Sequence, residues 1–145
     1  MKKFELTNES IDMNGVKLYR IKALIDFEDV KAGDLGGYVE KENNLSHNGN
    51  AWVFDNARVY GDAWVYGDAW VFDNAQVFGD ARVFDNVLVY GNAQVFGNAR
   101  VFNNAVVYGN AQVYGNARVY DNAWVFDDAR VHGNTQVYND VPCIR

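Results

Sequence analysis

At 145 residues the chain has the length of one domain with a small cap, and 15% aromatic residues with a single proline exclude a disordered or collagen-like chain. Thirteen lysines and arginines against nineteen acids give a net charge of −6, which argues against general nucleic-acid binding. One cysteine, Cys143, excludes an internal disulfide; with no leader and no long apolar run, the expectation is a cytoplasmic protein without membrane contact.

Residues 1–48 do not repeat. Lys3-Phe4-Glu5-Leu6 and Val16 to Leu24 alternate as half-buried strands do, and Asn14-Gly15 between Ile11-Asp12-Met13 and Val16-Lys17-Leu18 predicts a two-residue hairpin. The stretch from Asp26 to Gly37 reads as a loop, with Asp34, Gly36 and Gly37 as turn residues. A faint six-residue phase begins at Val39 and Leu45, twelve and six residues before Ala51, so the repeat is expected to start near Gly37. The predicted division is a β cap over residues 1–36 and a repeat domain over 37–145.

From Gly49 to Tyr138 one six-residue phrase recurs fifteen times: a turn pair, Ala, a variable residue, Val, an aromatic. Gly97-Asn98-Ala99-Arg100-Val101-Phe102 is one copy. Val holds its slot from Val53 to Val137; Ala gives way only at Val87 and Thr135, and the aromatic only at His132. Fixed short periodicity signals a solenoid. By strand alternation Ala and Val face inward, the variable residue and the aromatic outward, and each Gly/Asp/Asn pair makes a corner.

The number of hexads per coil is legible in the variable slot. Every third hexad gives Trp52, Trp70, Leu88, Val106, Trp124; then Arg58, Gln76, Gln94, Gln112, Arg130; then Trp64, Arg82, Arg100, Arg118, Gln136. One column is apolar, one polar, one mostly arginine. The predicted coil is eighteen residues and three-sided, and the regular hexads make five coils.

These hexads, an aliphatic residue followed four positions later by a small one, resemble the bacterial transferase hexapeptide. The resemblance implies an all-β, left-handed parallel β-helix of triangular section; the hand rests on it alone, since the general crossover rule predicts a right-handed connection. Asp29 to Glu40, with Asn43-Asn44-Leu45-Ser46, further resembles the segment preceding the hexads in YdcK-type proteins of bacterial and phage genomes. In that group a transferase label rests on the repeat alone.

Hexapeptide acyltransferases use a histidine base between subunits of a trimer, which makes His47, in the Val phase beside the cap, and His132, in an aromatic slot, the weak catalytic candidates. Two histidines cannot supply the three zinc ligands of the carbonic-anhydrase branch, and no long loop interrupts the hexads to bind an acyl donor. Turn aspartates alternate with asparagines, as turn propensity demands, and assemble no set of six oxygens for Ca²⁺. No metal and no cofactor is expected.

Two outer columns carry the functional expectation. Trp52, Trp70, Leu88, Val106 and Trp124 would form an apolar stripe about 19 Å long at roughly 4.8 Å per coil, and self-association as a dimer or trimer would cover it unless the cap does. Arg82, Arg100 and Arg118, beside Phe84, Phe102 and Tyr120, would either pair with turn acids such as Asp80 and Asp85 or bind an anion or an acidic partner. The pattern points to a non-enzymatic interaction protein, by analogy a phage-encoded inhibitor of a host factor. The alternatives are an acyltransferase-like enzyme with its site between subunits and a sequestering protein for a small anion such as a nucleotide.

Overall fold

The computed structural model describes residues 2–138 and 142–143. The residues after Tyr138, where the hexad phrase ends in the sequence, lie mostly outside them. Two long strands open the chain, β1 (Phe4–Met13) and β2 (Val16–Ala23), paired antiparallel from Phe4↔Ala23 to Met13↔Val16 with a register shift between Leu6 and Ser10. Asn14 and Gly15 both take positive φ, 53° and 90°, as the predicted two-residue hairpin requires.

A third strand, β3 (Leu35–Val39), pairs antiparallel with β2 and parallel with the first polar rung, Arg58–Val59. It starts inside the stretch expected to be a loop. Gly36 and Gly37 are not turn residues here: a Cβ on Gly36 would lie 2.5 Å from the Val53 carbonyl oxygen, and one on Gly37 2.6 Å from that of Ala57. They are glycines because the cap strand crosses the first coil at backbone contact. The hairpin thus continues one solenoid face as a single eight-stranded sheet, and the expected boundary at residue 36 falls within β3.

Beyond β3 each hexad contributes a two-residue rung, such as Gln94–Val95, and a corner. Rungs eighteen residues apart pair in parallel register, Gln76↔Gln94↔Gln112 and Arg82↔Arg100↔Arg118, so the three predicted columns are the three faces of a parallel β-solenoid. Pro142–Cys143 keeps the spacing, pairing with Trp124–Val125. Counting the coil that β3 opens, there are about six turns.

The core is as thin as the sequence requires. The inward Val and Ala from Ala51 to Val131 are buried throughout, and backbone amides are satisfied by the next coil, as where the Gln94 N–H donates to the Ala111 carbonyl at 3.0 Å. The first residue of all fifteen turn pairs has φ between +55° and +72°, which explains why only Gly, Asp or Asn occupies it. At Asp55, Asp73, Asp85 and Asn103 the side chain ties coils together, as where Asp85 Oδ2 accepts the Asn103 N–H at 3.0 Å.

One phase differs from expectation. Val39 stands opposite Val59 and Leu45 opposite Val65, each twenty residues apart, so the opening coil carries two extra residues before Ala51. Val39 and Leu45 therefore fill inward Val positions, and His47 is displaced from the Val phase that plain counting gives it.

Candidate functional site

The outward aromatics form ladders along all three corners. Tyr60, Phe78, Phe96 and Tyr114 stack at 4.9 Å with planes within 4° of parallel. Tyr66, Phe84, Phe102, Tyr120 and Tyr138 stack at 4.7–5.4 Å beside the arginine face. His132 ends the first ladder, 5.3 Å from Tyr114 and exposed, a ring replacing a ring.

On the arginine face Arg82, Arg100 and Arg118 are exposed and in register. Among the described residues no carboxylate comes within 4.0 Å of any of them. Of the neighbouring turn acids, Asp85 turns its carboxylate to Asn103 in the next coil, and Asp62 pairs with Lys41 at 2.8 Å. Three like charges at rung spacing repel by roughly 0.9 kcal/mol per neighbouring pair even in water. The column is therefore a positive ridge, flanked by half-buried Phe84, Phe102 and Tyr120, in a net acidic protein.

Above the ridge, toward the cap, the same face carries Trp64, 39% exposed and in register with Arg82. It floors a cleft of about 390 Å³ bounded by Leu45, Ser46, His47, Asp62 and Arg82. His47 is fully engaged: its ring stacks on Phe4 at 4.3 Å, Nδ1 accepts the Lys3 backbone N–H at 3.0 Å, and Nε2 contacts Glu42 Oε1 at 2.8 Å. With Nδ1 accepting, Nε2 carries the proton and donates it to the carboxylate. No imidazole lone pair is left for a general base. The hydrogen bond from His47, then that from Lys2, holds the Glu42 carboxyl below its usual range.

The apolar column is divided by the cap. Trp52 is 1% exposed, covered edge-on by Phe27 at 5.3 Å and Phe4 at 6.2 Å, so it offers no surface to a second subunit. Trp70 is half-buried, its ring edge-on to Phe54 at 5.1 Å and its Nε1–H donated to the Asn50 carbonyl at 3.2 Å. Leu88 and Val106 are half-buried, and Trp124 is 50% exposed.

The repeat itself matches a known family model, the YdcK β-solenoid repeat, over residues 51–67, 75–91, 93–109 and 111–126. The chain carries YdcK-type β-solenoid repeats. A curated relative, the uncharacterized acetyltransferase YdcK of Escherichia coli (strain K12), is 38% identical over 77 residues, covering 47% of this chain and 24% of the relative. The chain thus matches about a quarter of that protein's length. Among the described residues no helix is long and apolar enough to cross a membrane.

Sequence reasoning missed Lys3 and Arg20. Lys3 is buried, its Nζ donating to the carbonyls of Ala51 at 2.6 Å and Gly49 at 3.2 Å. Arg20 sits over the Tyr38 ring at 4.4 Å and donates to Glu9 at 2.8 Å and to the Gly36 carbonyl at 2.7 Å, locking the hairpin onto β3. Both lie in the alternating cap strands, outside the hexads, where alternation assigns a face but not a buried or bridging polar role.

Proposed function

We propose that this chain is a rigid, non-enzymatic interaction module whose arginine face binds an acidic segment of a protein partner. The observation that carries the reading is the ridge of Arg82, Arg100 and Arg118: exposed, in register, and without a carboxylate partner among the described residues. Guanidiniums held on a stiff sheet lose little freedom on binding a carboxylate, and the adjoining aromatic ladder adds flat contact area. A labelled heptaglutamate peptide is the probe, read by fluorescence anisotropy at two salt concentrations. Arg100→Gln should weaken binding about fivefold to tenfold, near 1 kcal/mol, and higher salt should weaken it further. Equal binding by the Arg82, Arg100 and Arg118 triple glutamine variant would sink the proposal.

The module is further proposed to self-associate, as a dimer or trimer, through the part of the apolar column the cap leaves open: Leu88, Val106 and Trp124. Light scattering on the natural protein and on Trp124→Asp tests this; a natural protein that is already monomeric removes it. A second reading, acetyl transfer, draws on the name of the relative that is 38% identical. The engagement of both His47 ring nitrogens lends it little support. Acetyl-CoA turnover that disappears in the His47→Ala, His132→Ala double variant would favour it.

A further inference from the structure

The cleft at Trp64 differs from everything else on the repeat. At this one coil the variable slot of the arginine face holds an indole instead of a guanidinium, and the cap's short 3₁₀ turn (Glu42–Asn44) and Ser46-His47 rise beside it. The Trp64 ring rests on Tyr66, centroids 4.0 Å apart and planes tilted by 31°, which fixes the indole on a rigid support. The Arg82 guanidinium carbon lies 5.9 Å from the ring centroid. The result is a flat aromatic surface, bordered by Ser46 and His47, with a cation at one edge.

Charge accounting selects the ligand. Glu42 is matched by Lys2 at 3.2 Å and His47 at 2.8 Å, and Asp62 by Lys41 at 2.8 Å. Both acids lining the cleft have partners within the chain, while Arg82 has none among the described residues. The unmet requirement is an anionic group at Arg82 together with a planar ring over Trp64. A cation would meet only acids already neutralised, and a neutral ring would leave the guanidinium uncompensated.

We infer that the Trp64–Arg82 cleft binds a small planar aromatic molecule carrying one anionic group. The ring stacks on the indole while the carboxylate or phosphate takes the guanidinium. Cleft and ridge share Arg82, but Trp64 belongs only to the cleft and Arg100 only to the ridge, so the two proposals fail separately.

The test uses the full chain labelled with ¹⁵N, in which the four tryptophans report as four indole N–H signals. Trp64→Phe assigns its signal, and the more open Trp124 is the internal control. Indole-3-acetate and AMP are the probes, one supplying a carboxylate and the other a phosphate. The expected result is a saturable shift of the Trp64 signal, with Kd on the order of 0.1–1 mM for an open cleft of this size, and no comparable shift at Trp124. Arg82→Gln should weaken binding at least about fivefold, and Arg100→Gln should leave it unchanged. The better probe identifies the anionic group. Equal shifts at Trp64 and Trp124, full binding by Arg82→Gln, or no saturation by either probe below about 5 mM would overturn the inference.

Discussion

Raising the pH from about 7 to about 10 should stabilise this protein, the reverse of what most domains do in that range. The cause is Lys3, 1% exposed, with its Nζ held by the Ala51 and Gly49 carbonyls and 4.9 Å from the Phe27 ring centroid. Burial pushes its ammonium down from 10.5 to about 8, with the Asp68 charge opposing part of that shift. Between those two values the unfolded chain binds a proton that the folded chain does not, so unfolding free energy rises with pH across the window and the gain is lost again as pH falls through the folded value. The gap between the unfolded and folded values corresponds to roughly 3 kcal/mol, of which on the order of 2 kcal/mol develops between about pH 7 and 10.

Urea midpoints measured across that range at constant ionic strength, for the natural protein and for Lys3→Met, isolate the effect. Lys3→Met should lack the rise. The comparison also removes the tyrosines: Tyr60 and Tyr90 are held above their usual value by burial, so they contribute stability up to about pH 10 that is lost as pH climbs through their folded values. Parallel pH profiles for the two proteins, or a falling profile for the natural one, would refute the account of Lys3 as a buried, partly desolvated cation.

Four further substitutions probe the solenoid. Val95→Asp places an unpaired carboxylate in the fully buried centre of the stack and should abolish the cooperative thermal transition; an unchanged midpoint would mean the slot does not face inward. Gly97→Ala puts a side chain on a residue at φ +68°, with its Cβ 2.9 Å from the Gly115 nitrogen, and should cost about 1–3 kcal/mol in chemical denaturation. Phe96→Ser removes a ring stacked on both sides at 4.9 Å and should cost about 2 kcal/mol, whereas Tyr138→Ser, at a ladder end and 48% exposed, should cost well under half as much; equal losses would mean that ring stacking contributes little.

The repeat was legible in the sequence because a solenoid is nearly one-dimensional: each rung meets only the rungs eighteen residues before and after it, so composition at that spacing is composition on one face. Sorting every third variable residue therefore yielded Gln94 between Gln76 and Gln112 and Arg100 between Arg82 and Arg118, as the pairing confirms. The inward Val and Ala slots and the Asn14-Gly15 hairpin followed from strand alternation and turn chemistry alone.

What the tertiary structure alone decided lies where the period fails. Gly36 and Gly37 carry the same letters whether they turn a chain or let a strand pass within reach of the Val53 and Ala57 carbonyls, and only the packing distinguishes the two. The two extra residues before Ala51 leave the hexad count of His47 intact on paper while moving it onto Phe4. Trp52 has the same slot as Trp124, yet one is buried and the other open, because Phe4 and Phe27 reach across the chain to only one of them. Such contacts join residues tens of positions apart with no repeating partner, so a period can assign a residue to a face of the solenoid but cannot say what comes to rest on it.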